Sequence, residues 1–424
     1  MQVKLAYGKT GLNLDLVDDW DVEVIQPLIS QPLGDPKGSL IEALRNPITG
    51  GSLRSSVISD KPIAIILNDI TRATPSKLLL ESILEELGFI PDSQIKLFIA
   101  LGTHRRNTKE ELTQMIGEIY VDRFEIIQND AFDKSSQLYI GETHRGHPVW
   151  LNNELVRCGL KMLTGFIEPH FFAGYSGGGK AVMPGMAGLR TIMANHGADM
   201  IADPGSTWGI TAGNPIWEEI QEITGMIEHT FLLNVALDQD QSLTAIFCGS
   251  PSEAVKTGCD FVGRHALIPV KGLFDIVVTS NAGYPLDLNL YQTIKGISAA
   301  SRIVRQNGAI IVAAQCWDGV PEHGSYGKLV AGAGSPVELF EKIITPGFQI
   351  QDQWQAQIQA QIQMKAQVYL YTDGLTDDQI RMAMLKPSKK IEDTMAVLMD
   401  EYGCGARIAV MPYGPLTVPV AHKI

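Results

Sequence analysis

Apolar residues along the chain fall into short β-branched runs, each followed by a polar loop and then by a helical rhythm. In "KPIAIILNDITRATPSKLLLESILEELG" the run 63–67 reads as a buried strand, and 76–87 repeat apolar residues at i, i+3 and i+4. Pro75 stands where a helix start tolerates proline. In "QIKLFIALGTHRRNTKEELTQMIG" the strand is 96–101 and the loop 102–107. Thr108 then serves as N-cap, with Glu111 three residues on completing a capping box. Strand, loop and helix in alternation predict a parallel sheet with right-handed crossovers.

The pattern returns in "FDIVVTSNAGYPLDLNLYQTIKGISAASRIVRQNGAIIVAAQCWDG", with a strand, a loop, a helix over about 289–305 and a strand at 309–314. The fold class is therefore α/β, with two Rossmann-like domains of mainly parallel sheet. The first spans 1–270 and the second 271–394, and a last strand in "ARIAVMPYGPLTVPV" is expected to rejoin the first within 395–424. The stretch "QIQDQWQAQIQAQIQMKAQVYLY" has glutamine at alternate positions. Its length and its Gln and Ala content favour a helix, although its period is ambiguous. Ligands of open α/β sheets bind beyond the carboxyl ends of the strands. The loops "NDITRATP", "ALGTHRRN", "GYSGGGKA" with "NHGAD", and "NAGYPLDLNLYQTIKG" occupy or adjoin such ends, so the active site is expected in the interdomain cleft.

Composition narrows the function. With 34 basic against 47 acidic residues, the net charge of -13 argues against a general nucleic-acid surface. No apolar run approaches a membrane span, and the N-terminus lacks the apolar stretch of a signal peptide, so a cytoplasmic protein is expected. Five scattered cysteines without CxxC spacing give no disulfide framework and no structural zinc site.

The candidate chemistry clusters at these loops. Gly174 to Lys180 reads G-x-x-x-x-G-K, but Ala181 stands where a P-loop needs a hydroxyl for Mg²⁺, and Pro184 interrupts the helix that should follow. Gly177, Gly178 and Gly179 still permit a nest of N–H donors for an anion, or a plain structural turn. His104, His170 and His196 lie beside the loops and suit proton transfer or metal ligation, while no HExxH spacing marks a metal site. His144, His147, His229, His265 and His422 read as surface or packing positions, and His323 could reach the cleft from a loop. Arg72, with Asp69 nearby, suits capture of a carboxylate or an ordinary surface ion pair. Lys295 lies one helical turn beyond Tyr291 and Gln292, so the three can share a face.

Taken in order, "NDITRATP", "ALGTHR", "GFIEPHFFAGYSGGGKAVMPGMAG", "NHG" and "GYPLDLNLYQTIKG" resemble the lactate racemase family over nearly the whole chain. That resemblance implies a nickel-pincer nucleotide: Ni(II) pyridinium-3-thioamide-5-thiocarboxylic acid mononucleotide, joined covalently to Lys180 beside Gly177, Gly178 and Gly179, with His196 as nickel ligand. It implies His104 and His170 as acid and base on opposite faces of the substrate. It also implies Arg72, Lys295, Gln292, Tyr291, Asp69 and Trp354 as substrate-binding residues.

The implied reaction is racemisation of a 2-hydroxy acid, lactate or a short relative, through a 2-keto acid. The Cα–H is a very weak acid, and its loss as hydride to the cofactor avoids a simple deprotonation. The partners implied are a 2-hydroxy acid and the proteins that make the cofactor; the oligomeric state stays open. Malate, an aromatic 2-hydroxy acid or a sugar acid are alternative substrates. An NAD-dependent oxidoreductase is disfavoured because no strand is followed by G-x-G-x-x-G. A non-catalytic binding protein for a small anion would leave the placement of Lys180 and His196 without a reason.

Overall fold

The strand Ile63–Asn68 is buried at five successive positions because it sits in the interior of a six-stranded sheet. The computed structural model describes residues 1–58 and 60–422. The sheet runs Leu243–Gly249, Thr230–Leu237, Leu160–Phe166, Ile63–Asn68, Ile95–Ala100, Glu125–Gln128. All neighbours are parallel except the first pair. From Ile63–Asn68 the chain first winds one way, through Ile95–Ala100 and Glu125–Gln128. It then returns to place Leu160–Phe166 on the other side. This reversal opens a crevice at the carboxyl ends of two adjacent strands, where ligands of such sheets bind.

The second sheet is parallel throughout and runs Lys386–Pro387, Gln367–Tyr371, Val304–Ala313, Phe274–Ser280, Arg407–Met411, Asp21–Val24. Its order also reverses, between Phe274–Ser280 and Arg407–Met411. Two strands thus lie elsewhere than the linear reading of the chain implies. Arg407–Met411 does not rejoin the first sheet: it pairs with Phe274–Ser280 in the second. Asp21–Val24, from the expected first domain, lies on its far side. The physical reason is burial. Leu5, Leu14, Ile408 and Val410 form one apolar cluster with Ile276, Val278 and Ile311 of the second sheet. Backbone bonds from Ala6 to Pro412 and from Ile25 to Val410 hold the N-terminal segment there.

Local signals set the helices. Thr108 and Glu111 form the expected capping box at the start of Lys109–Ile116. Asn289 caps Leu290–Ser301, its side chain accepting from the N–H of Gln292. The glutamine-rich stretch is the helix Gln353–Lys365. Its period is ambiguous because it is covered on nearly every side: Gln353, Gln355, Gln357 and Gln359 are all buried. Three of them donate to backbone carbonyls of separate neighbours, Tyr291, Ala198 and Ala383. The four central cysteines are buried thiols, and Cys404 is exposed. Among the described residues no helix is long and apolar enough to cross a membrane.

Because Leu5 is fully buried against the second sheet, Leu5→Ala is expected to destabilise the protein by about 2–5 kcal/mol. Urea denaturation followed by circular dichroism checks this. An unchanged midpoint would show that the N-terminal segment does not support that sheet.

Candidate active site

The two reversals of strand order face one cleft. Asn68 ends its strand and leads into Asp69 and Arg72; Ala100 leads to His104, whose N–H bonds the carbonyl of Leu101; Phe166 leads to Glu168 and His170. The helix after Phe274–Ser280 brings Tyr291, Gln292 and Lys295, and the glutamine-rich helix brings Trp354. These side chains, Glu168 excepted, line a single cavity of about 110 Å³ with Lys180, Gly177 and His196. His323 lines an adjoining pocket beside His104 and Asp69. The His422 side chain lies outside the described residues.

Gly178 and Gly179 are not brought to the cavity. A Cβ on Gly178 would lie 2.6 Å from Val255 Cγ2, and one on Gly179 2.4 Å from Thr224 Oγ1. They let a short 3₁₀ turn, Gly178–Ala181, press against the helices Pro215–Gly225 and Pro251–Ala266, so that Lys180 reaches the cleft. Gly177 does line the cavity, at φ +81°, where side chains are strained. The turn is tied down by Asn234, whose Oδ1 accepts from the Gly178 N–H at 2.7 Å.

The two candidate acid–base histidines are held differently. His104 Nδ1 lies 2.6 Å from Asp69 Oδ2. The carboxylate accepts a hydrogen bond from the Nδ1–H, which leaves the Nε2 lone pair free. The other Asp69 oxygen accepts from Thr71 at 2.7 Å. Asp69 thus holds the histidine, with one bond to each oxygen, while lining the same cavity. Burial alone would raise the Asp69 pKa, but the net direction is down, drawn by His104, Arg72 and Thr71. His170 instead accepts, at Nδ1, the N–H of Ala173 at 3.2 Å, so its neutral ring carries hydrogen at Nε2. Burial, then Lys180, Lys295, Arg72 and His196, hold His170 well below the ordinary histidine range. Burial and Lys180 do the same for His196.

Aromatic rings wall the site. The edge of Phe172 meets both His170 and His196, with ring centroids 4.5 and 4.9 Å apart, and Trp354 packs edge-on against His196 at 5.2 Å. Trp354 Nε1 donates to the Tyr291 hydroxyl at 2.9 Å.

Three basic groups share the cleft. Arg72 bonds Glu168 at 3.1 Å through Nη1. Lys295 is buried, and among the described residues its Nζ has no hydrogen-bond partner; the same holds for Gln292 Oε1. Burial, Arg72 and Lys180 push the Lys295 pKa well down, against the pull of Glu168 and Asp69. Lys180 keeps a little surface open to the cleft and sits 5.5 Å over the Phe172 ring. Burial, then Arg72, push its pKa down to about 7, opposed by Glu168.

Glu168, Phe172, Asn195 and Glu219 were not singled out by sequence reasoning. The first two lie within "GFIEPHFF", and Asn195 directly precedes His196. Their roles come from contacts across the fold, which no local spacing encodes.

A family model described as the lactate racemase N-terminal domain matches residues 7–209, and one described as the lactate racemase C-terminal domain matches 271–419. The chain is 33% identical over 430 residues to a lactate racemase of Thermoanaerobacterium thermosaccharolyticum, with 99% of each chain covered. It is 35% identical over 376 residues to a lactate racemase of Lactiplantibacillus plantarum, covering 88% of each. The solved lactate racemase apoprotein of T. thermosaccharolyticum superposes with a TM-score of 0.90 at 31% identity over the full length of both chains. A Thermotoga maritima protein shares the fold at a TM-score of 0.74 and 18% identity, covering 93% of this chain and all of that one.

An amine with a pKa of about 7 is half neutral at neutral pH. Lysine ordinarily titrates near about 10.4. Acylation of Lys180 in the cofactor-free chain should therefore rise with a midpoint near pH 7, being lost as pH falls through that value, while surface lysines react only at higher pH. Peptide mass spectrometry after brief acetylation across pH 5.5–10 reads this. A Lys180 that follows the surface lysines would overturn the assignment.

Proposed function

The chain belongs to the lactate racemase family and is an isomerase, and on that premise we propose that it racemises lactate or a related short 2-hydroxy acid. We further propose that a nickel-pincer nucleotide, supplied by separate biosynthetic proteins, is tethered at Lys180. The observation that carries the reading is the meeting of His104, His170, Arg72 and Lys295 around one cavity in which Lys295 Nζ and Gln292 Oε1 are buried without partners among the described residues. Unpaired buried polar groups cost about 1–3 kcal/mol each. A substrate oxygen accepts from Lys295 Nζ, and Gln292, with its amide turned, can donate to another.

The residues present fit the nucleotide. A partly neutral Lys180 amine can be acylated, and His196 offers a neutral imidazole, a donor that suits nickel. Among the described residues no three His, Cys, Asp or Glu side chains group to hold a metal ion. Nickel at His196 would draw its remaining donors from the nucleotide. When bound, the nucleotide supplies a hydride acceptor for the hydrogen on the substrate Cα.

The chain's own residues supply the rest. Arg72 bonds Glu168 through one nitrogen, and the remainder of its guanidinium can hold the substrate carboxylate. Lys295 and Gln292 hold the substrate oxygens. His104 Nε2 takes the hydroxyl proton, and Asp69 stabilises the imidazolium that results. On the opposite face, His170 must move its proton to Nδ1 and release Ala173 before Nε2 can act as a base. Phe172 and Trp354 help exclude water.

Single-enantiomer 2-hydroxy acids, followed by chiral chromatography with cofactor-loaded protein, test the activity. Lactate is expected to invert, and inversion of none would sink the proposal. His104→Ala and His170→Ala should each lower turnover by about 10²–10⁴-fold while nickel stays bound. Lys180→Ala should lose the cofactor adduct in intact mass.

A further inference from the structure

His196 has a support of its own behind it, away from the cavity. Asn195 is the last residue of the helix Leu189–Asn195 and is fully buried. Its Nδ2 donates to Glu219 Oε2 at 2.7 Å and to the Ile216 carbonyl at 3.3 Å. The backbone carbonyl can only accept, so the amide cannot be turned round without opposing oxygen to oxygen. The Asn195 oxygen must therefore face His196, and it lies 2.8 Å from Nδ1. An amide oxygen does not donate, so His196 Nδ1 carries the hydrogen. Nε2 is left with its lone pair, on a ring that lines the cavity. Phe172 and Trp354, edge-on to the imidazole, hold its plane.

Glu219 anchors this arrangement from the helix Pro215–Gly225. It has no exposed surface, and its second oxygen accepts from Thr143 Oγ1 at 2.7 Å. Thr143 stands in the turn joining Gln137–Glu142 to Pro148–Asn152. His147 Nδ1 lies 2.8 Å from the same oxygen but off the line of a hydrogen bond. Burying a carboxylate this completely is costly unless each oxygen is matched, and here each is.

We propose that Asn195 and Glu219 are positioning residues that fix the tautomer and ring plane of His196, so that Nε2 is presented to a metal ion. The proposal rests on the nickel reading above, but its first test does not. Imidazoles that bind a metal through one nitrogen characteristically donate the other N–H to an oxygen, and loss of that partner costs about 10–100-fold in metal affinity.

The test uses the full chain. Without cofactor, the ¹⁵N-labelled protein is examined by long-range ¹H–¹⁵N NMR of the imidazoles, His196 being identified by its absence in His196→Gln. The wild type is expected to show hydrogen at Nδ1 and a bare Nε2. Asn195→Leu should shift the ring toward the other tautomer. Glu219→Gln keeps an oxygen for Asn195 and should retain the wild-type tautomer. With cofactor loaded, Asn195→Leu should lose nickel to a chelator at least about tenfold faster than wild type, and Glu219→Gln at near the wild-type rate. A wild-type ring with hydrogen at Nε2, or an Asn195→Leu chain with unchanged tautomer and unchanged nickel loss, overturns the proposal. If Asn195→Leu does not fold, the wild-type spectrum still decides it: hydrogen at Nδ1 supports the proposal and hydrogen at Nε2 overturns it. Wild-type protein with the expected tautomer that never retains nickel would instead sink the nickel reading.

Discussion

Arg72, Lys180 and Lys295 share one cleft that protein shields from water, with Glu168 and Asp69 as the nearby carboxylates. Burial first, and then the crowding of like charges in the same poorly solvated space, raises each group's cost of ionisation. The rest of the site follows from that constraint. One lysine becomes a partly neutral amine, another is pushed well down, and two histidines are kept neutral. The cleft also gains a standing preference for anionic ligands. The Arg72–Glu168 pair moderates the excess without removing it.

The sheets make this crowding possible. Each reverses its strand order once, and each reversal opens its loops toward the same space. The first sheet contributes the histidines and Arg72, and the second contributes Lys295, Gln292 and Tyr291 from a helix capped by Asn289. Neither sheet alone builds the site. The asymmetry between the histidines has the same origin. His104 sits on a loop that reaches Asp69 of the next strand, whereas His170 sits in a tight turn whose own backbone supplies its partner, Ala173.

Much of the cleft was legible because its parts lie next to strongly patterned strands. Asp69, Arg72, His104, His170, Lys180, His196, Gln292 and Lys295 all stand at or near loop positions that the alternation of strand and helix marks out. What stayed hidden depends on contacts between distant segments. The run 407–411 reads as a strand, but its neighbour is chosen by the apolar cluster around Leu5 and Ile276. Three adjacent glycines look alike in sequence, yet only Gly177 meets the cavity, and the other two are required by Val255 and Thr224. Asn195 and Glu219 have no local signature, since each is defined by what it touches.

The placement of Asp21–Val24 at the edge of the second sheet bears on how the chain is made. The strands of the first sheet lie between residues 63 and 249, so that sheet can assemble while the ribosome is still at work. The second cannot close until Arg407–Met411 has emerged, because that strand separates Asp21–Val24 from Phe274–Ser280. Until residues 407–411 have emerged, Asp21–Val24 has no strand partner, and Leu5 and Leu14, on a hairpin of their own, have no completed sheet to pack against. Apolar side chains and a strand edge left uncovered in that interval are open to premature association.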